Sequence, residues 1–335
     1  MKGFKFAKNA IDHTCRPIAR LFGYHPPLRI PKIVKESFAD TIPSISVSLN
    51  IMSFNIRRGT KRDGRNHWIY RRDLVHEILN QYHPDVLGLQ EALDFQISEI
   101  GAMLPGYENV GVGNLGGSKG LHNAIFYDAN RFSLSEEGTF GLSDTPDIPG
   151  SKGWGNIIPR ICTWVRLIEK TSHQAVYFYN THLDHLSLRS RKKSVVLLTK
   201  RIHTRSFPDP FVLTGDFNAR ERSTPVQYLK GKIPLKLELK VKVSNPVPLR
   251  DTFRVRNPEN RHTATFNGFG RYFFRLKLDY IFVPASVLVI EAMIIQLRRK
   301  KCYPSDHFPL FAHIHLPVTF AASDSHPFIK KAVNH

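Results

Sequence analysis

The chain has 335 residues, 41% of them hydrophobic and 23% charged, which supplies enough apolar mass for a sizeable core and excludes disorder throughout. Its 48 Lys and Arg against 28 Asp and Glu give a net charge of +20, a field that attracts phosphate-bearing partners such as nucleic acid, anionic membrane or polyphosphorylated metabolites. Three widely separated cysteines, Cys15, Cys162 and Cys302, support neither a disulfide framework nor a Cys-based zinc site.

Residues 1–43 read as an extension. Phe4, Ala7, Ile11, Cys15, Ile18 and Phe22 recur at three- and four-residue steps among Lys2, Lys5, Lys8, Arg16 and Arg20, a basic amphipathic helix pattern broken at Pro17. That stripe is expected to pack on the main domain, with contact to an anionic membrane as the alternative. Pro26, Pro27, Pro31 and Pro43 mark the linker that follows.

From residue 44 onward, strand-like runs alternate with a few helical patterns. SISVSLNIMSFNI alternates as a strand, WIYRRDLVHEILNQY has helix spacing up to Pro84, and DVLGLQE returns to strand. NAIFYD, RICTWVRLIE and AVYFYNTHLD are further strands, RSRKKSVVLLTKRIH a helix, and PFVLTGDFN, KLDYIFV and LFAHIHL strands again. LKLELKVKV alternates strictly over residues 235–243, so a single edge strand is expected, with Lys236, Lys240 and Lys242 on one exposed face. Interleaved strands and helices of this kind imply two sheets covered by helices, an α+β sandwich. The main domain spans 44–318 and a tail 319–335. Half of the positive surplus lies in residues 229–301, which carry a net +11.

Polar residues close these runs. Asn55, Glu91, His182, Asp216 with Asn218, Asp279, and Asp306 with His307 each sit at or beside a strand end. One such residue is an ordinary cap or turn. Several carboxylates, carboxamides and imidazoles at sheet ends are where α/β enzymes place their sites. Hard oxygen donors without Cys clusters point to Mg²⁺, or Mn²⁺ in its place, rather than zinc. Phosphoester cleavage needs such a cation and a base to orient water.

MSFNIRRG, DVLGLQEAL, NTHLDH, LTGDFNA, LDYIFV and SDHFPL, in this order from Met52 to Leu310, resemble the signature blocks of the endonuclease/exonuclease/phosphatase superfamily, also called deoxyribonuclease-I-like. SDTPDIPGSKGWG followed by PRICTWVRL resembles a bacterial-type branch of it. The resemblance implies a four-layer fold of two packed mixed sheets flanked by helices, with 44–318 as the catalytic domain. It implies that Asn55 and Glu91 approach the metal, Glu91 as main carboxylate ligand, and that Asp306 reaches a second metal position. Asp216 would be the base for the attacking water or its activator, Asn218 and His182 would contact the phosphate, and Asp279 would orient a cationic His307. Arg160 and Asn123 are candidate phosphate contacts, a role that suits the planar fork of Arg160. In one respect the chain departs from the family's abasic-site repair endonucleases, which carry Asp two residues after the first-block Asn, where this chain has Arg57.

The leading expectation is a Mg²⁺-dependent phosphodiesterase acting on nucleic acid, with the aromatic and basic run FNGFGRYFFRLK suited to a backbone and stacked bases. Phospholipid or phosphoinositide hydrolysis at a membrane surface is the alternative, and a catalytically inactive phosphate-binding module a third. No run approaches the roughly 18 uninterrupted apolar residues of a membrane span. An intracellular protein, soluble or peripherally bound to membrane, is therefore expected.

Overall fold

The structure, a computed structural model, describes residues 46–59, 61–237, 241–270 and 276–317. The extension 1–43 and the tail 319–335 lie outside them. Five helices are found among these residues: α1 (Arg72–Tyr82), α2 (Asp94–Met103), α3 (Leu188–His203), α4 (Thr224–Leu229) and α5 (Thr252–Arg256). The strands are β1 (Ser46–Asn55), β2 (Val86–Gln90), β3 (Tyr107–Val110), β4 (Ile125–Asp128), β5 (Phe132–Gly141), β6 (Ile161–Glu169), β7 (Ala175–His182), β8 (Phe211–Asp216), β9 (Leu235–Lys236), β10 (Lys242–Val243), β11 (Leu249–Asp251), β12 (Asp279–Pro284), β13 (Leu288–Ile294) and β14 (Leu310–Pro317).

Two six-stranded sheets result, ordered β13-β14-β1-β2-β4-β3 and β11-β12-β8-β7-β6-β5. Each is mixed, because β1 runs parallel to β2 and β7 parallel to β8 while the other pairs are antiparallel. Period-two alternation assigns the faces. Leu49 and Ile51 of β1, Val86 of β2, Phe178 of β7, Val212 of β8 and Ile281 of β12 meet between the sheets. On the outer faces, Phe54 and Leu89 pack with Val75, Ile78 and Ile97 of α1 and α2, and Tyr179, Leu213 and Phe282 pack with Leu198, Ile202 and Val226 of α3 and α4. This is the expected helix–sheet–sheet–helix sandwich. No helix among the described residues is long and apolar enough to cross a membrane.

The inward register changes character along the strands. Toward their site end, Ser53, Gln90, Asn180 and Thr214 replace the aliphatic residues and join the sheets through hydrogen bonds. Gln90 Nε2 donates to Asn180 Oδ1 at 2.7 Å and Asn180 Nδ2 to the Leu89 and Ala124 carbonyls at 2.8 and 2.9 Å. Gly88 permits this close approach, since a Cβ there would lie 2.6 Å from Thr214 Oγ1. One step further, the same register presents Asn55, His182, Asp216 and Asp279.

Three local expectations need correction. The helix over Trp68–Tyr82 is split into a 3-10 turn, Trp68–Tyr70, and α1, because Arg71 is turned inward onto backbone carbonyls. The run at 235–243 is not one strand: β9 pairs back on β10, with Lys236 opposite Lys242, while Lys240 lies outside the described residues. Lys277 does not face a substrate. It is buried, donating to Asp251 Oδ2 at 2.9 Å and to the Asp279 carbonyl at 3.3 Å. Burial lowers its pKa, while Asp251 acts against that. Lys277→Met should therefore lower stability by about 3–5 kcal/mol, the effect of orphaning a buried charge. An unchanged urea midpoint would show that Asp251 does not depend on it. Of the cysteines, Cys162 is a buried free thiol.

Candidate active site

The parallel pairing of β7 and β8 sets His182 beside Asp216, and the antiparallel pairing of β8 and β12 sets Asp279 on its other side. In the facing sheet Asn55 ends β1 opposite Gln90, and Glu91 follows β2. The site thus draws on both sheets. Asn55 Nδ2 closes the gap between them, donating to Asp216 Oδ2 at 3.0 Å and toward Glu91 Oε1 at 3.4 Å. Glu91 has φ of 61°, a sparsely populated value for such a residue that only a well-determined surrounding maintains, whereas Asn218, at 46°, is of a type that adopts this region readily.

His307 Nδ1 donates to Asp279 Oδ2 at 2.8 Å, and its Nε2 stands 3.8 Å from Asp216 Oδ2. Burial by itself would lower the imidazole's pKa, but Asp279, Asp216, the hydrogen bond to Asp279 and Asp306 outweigh it and raise it to about 10. His307 is therefore a cation at neutral pH. His182 is the reverse case: burial, then the charges of Arg160, His307 and His185, hold it well below the usual range and neutral. Its Nε2 accepts from Asn218 Nδ2 at 2.9 Å, and that amide also serves the Leu183 carbonyl at 3.0 Å. The Asn218 amide thus holds the His182 ring and the backbone that follows it together. Asp216 is raised to about 7 by burial and by Asp279, against the opposing pull of His307, the Asn218 N–H and Asn55.

Asp306 neighbours Glu91 through Arg57, whose guanidinium lies 3.6 Å from Asp306 Oδ2 and 3.8 Å from Glu91 Oε2. Burial raises the Asp306 pKa and Glu91 adds to the rise, while His307, Arg57 and Arg71 oppose it. Arg160 is buried beside Asp184, at 3.6 Å, and His185, at 3.0 Å. Asn123 gives its amide to the Ile161 carbonyl at 2.8 Å. All ten expected residues are located, and Asn55, Glu91, His182, Asp216, Asn218, Asp279, Asp306 and His307 form one connected centre. Arg160 acts electrostatically on His182, and Asn123 ties the approach to β4 onto β6.

Sequence reading did not single out Arg71, Ser305 or Thr265. Arg71 donates to the carbonyls of Ile56, Arg57, Asn66 and Pro304, so it binds the Asn55 segment to the Asp306 segment. Ser305 Oγ donates to the Asn55 carbonyl at 2.7 Å, and Thr265 Oγ1 accepts from the Asp279 N–H at 3.1 Å. Only SDHFPL carried a signal for one of them.

Asp216, Asp279 and His307 place ligand atoms within 4.8 Å of one another. Within the trio His307 Nδ1 is already engaged by Asp279 Oδ2 at 2.8 Å, a hydrogen-bonded acid–imidazole pair. Oxygen donors for a hard cation are instead offered by Glu91 with Asn55 and Asp306. The polar contacts of Glu91 start at 3.4 Å, to Asn55 Nδ2 and to the Arg58 N–H, so neither carboxylate oxygen is taken by a short hydrogen bond. The donor set fits an oxygen-preferring divalent ion.

Two helix-flanked mixed sheets with carboxylates, amides and a charged imidazole at one end define a hydrolase of phosphoric esters. The chain belongs to the Endonuclease/Exonuclease/phosphatase family, whose model matches residues 52–307. Members are metal-dependent hydrolases acting on phosphoester bonds. Among solved structures, an endonuclease/exonuclease/phosphatase from Bacteroides vulgatus is 28% identical, with a TM-score of 0.73 over 81% of this chain and 100% of that one. A mannosyl-6-phosphatase from Bacteroides thetaiotaomicron is 30% identical, with a TM-score of 0.69 over 79% of this chain and 99% of that one. An uncharacterised protein of Acanthamoeba polyphaga mimivirus is 31% identical over 187 residues, which is 52% of this chain and 68% of that protein.

Proposed function

We propose that the chain is a Mg²⁺-dependent phosphoester hydrolase, with Mn²⁺ able to substitute, in which Asp216 accepts a proton from the attacking water. The observation that carries this reading is Asp216 itself. It is buried between His182 and Asp279, faces the His307 cation at 3.8 Å, and has a pKa raised toward neutrality, as a general base requires. His307, held by Asp279, stabilises the charge that develops on the phosphoryl oxygens, and neutral His182, placed by Asn218, lies beside the same group. Glu91 with Asn55 would hold the ion, Asp306 standing beside them, and the ion when bound would neutralise phosphoryl charge. Arg160 and Asn123 support the phosphate side of the centre.

For the substrate, the +20 charge supports a nucleic-acid strand. Burial of Lys277 removes one of the basic groups on which that reading drew, and Arg271 and Arg275 lie outside the described residues. A second reading, a phosphorylated sugar, is supported by the 30% identity to the mannosyl-6-phosphatase. The membrane-lipid alternative rests on residues 1–43.

Turnover should vanish in excess EDTA and return with Mg²⁺, and Glu91→Gln should need more Mg²⁺ for half its maximal rate. Full activity after dialysis into chelator would falsify the metal-dependent reading. On a panel of single-stranded DNA, RNA, sugar phosphates and phosphoinositide vesicles, a nucleic-acid substrate should show KM rising with salt at a log–log slope of ~0.7–0.9 per phosphate contact. A salt-insensitive KM with preferred turnover of a sugar phosphate would select the second reading. Loss of vesicle turnover alone on removing residues 1–43 would select the lipid.

A further inference from the structure

Arg57 is the one basic side chain that touches both Glu91 and Asp306 among the ion pairs of the described residues. Its guanidinium lies 3.8 Å from Glu91, 3.6 Å from Asp306 and 3.5 Å from Asp63. A guanidinium serving only as a structural clamp closes into short, often bidentate pairs near ~2.8 Å. This one meets Asp63 only through a long 3.5 Å hydrogen bond and stands back from Glu91 and Asp306, and its Nε is buried without a hydrogen-bond partner.

The backbone is built to hold it there. Arg57 has φ of 56°, which a branched or long side chain adopts only under constraint. Its N–H donates to Asn55 Oδ1 at 3.0 Å, and its carbonyl accepts from Arg71 at 2.6 Å and from Gln96 at 3.1 Å. The same Asn55 that touches Asp216 and Glu91 therefore also sets the direction of Arg57.

Charge balance gives the second argument. The Asp63, Glu91 and Asp306 carboxylates all lie within 3.8 Å of the Arg57 guanidinium, so the space between Glu91 and Asp306 already holds a permanent positive charge that a second cation would have to displace. We propose that Arg57 is a resident cation of the centre, standing where a second metal ion would otherwise be drawn, so that the site takes one divalent ion and offers the Arg57 guanidinium to the phosphoryl oxygens. This rests on the phosphoester-hydrolase reading above and specifies its cation content. Asp306 is then a partner of Arg57 rather than a ligand of a second ion.

Calorimetric titration of the full chain with Mn²⁺, without substrate, tests it. The wild type should bind one ion per chain. Arg57→Asp, a residue that tolerates positive φ, should admit a second ion, and Asp306→Asn in that background should remove it again. If Arg57→Asp does not fold, Arg57→Gln should bind the first ion at least ~10-fold more tightly, since a positive charge beside Glu91 has gone. It should also bind inorganic phosphate at least ~10-fold more weakly with Mn²⁺ present. Two ions per wild-type chain, a single ion in folded Arg57→Asp, or unchanged Mn²⁺ and phosphate affinities in Arg57→Gln would each overturn the proposal. No Mn²⁺ binding at all would overturn the parent reading with it, whereas two ions would leave that reading intact.

Discussion

Asp216→Asn is expected to lower kcat by at least ~10²-fold, the scale of losing a positioned base. The substitution keeps the shape and an oxygen able to accept from the Asn218 N–H, now at 2.9 Å, and gives up the bond from Asn55 Nδ2, so the thermal unfolding midpoint should fall by no more than corresponds to the loss of one buried hydrogen bond, about 1–3 kcal/mol. The defect should appear in kcat more than in KM, because a proton acceptor acts in the transition state rather than in ground-state binding. It should also survive saturating Mg²⁺, which separates it from a loss of metal. Wild-type turnover in a folded Asp216→Asn protein would remove Asp216 from the mechanism.

The second large effect is expected at His307 and Asp279. His307→Ala removes a buried cation aimed at the centre and should cost at least ~10²-fold in kcat. Asp279→Asn acts through His307: it weakens the 2.8 Å hydrogen bond and the charge that keeps the imidazole protonated. It is a positioning residue, so its effect should depend on His307 being present. The double variant should then be hardly slower than His307→Ala alone, a coupling that residues acting separately would not show. Fully multiplicative losses in the double variant would reject the pairing as the functional unit.

Much of this protein was legible in its residues, and the reason is burial. The eight interior strands, β1, β2, β4, β6, β7, β8, β12 and β14, are buried throughout or along their inward face, so each reads as an apolar or alternating run. The polar residues at their ends stood out because Asn55, His182, Asp216 and Asp279 continue an inward register that is apolar elsewhere. The four strands that did not stand out, β3, β5, β11 and β13, are the four sheet edges. Edge strands are half solvated, as in the Glu136–Glu137 part of β5, and both β5 and β13 carry register shifts, so their hydrophobic alternation is broken.

Tertiary structure alone decided where charge ended up. Strict alternation in 235–243 described a strand equally well whether straight or folded back, and only the β9–β10 pairing chose the hairpin. Lys277 and Arg71 occur in patterns that suit exposed basic residues, yet both are buried, because Asp251 and the carbonyls of Ile56, Arg57 and Pro304 come from segments distant in the chain. The sequence could name the groups of the centre through their positions at strand ends. Their protonation, a neutral His182 and a cationic His307, follows from which charges the two sheets bring within reach of each ring, and one-dimensional spacing does not encode that.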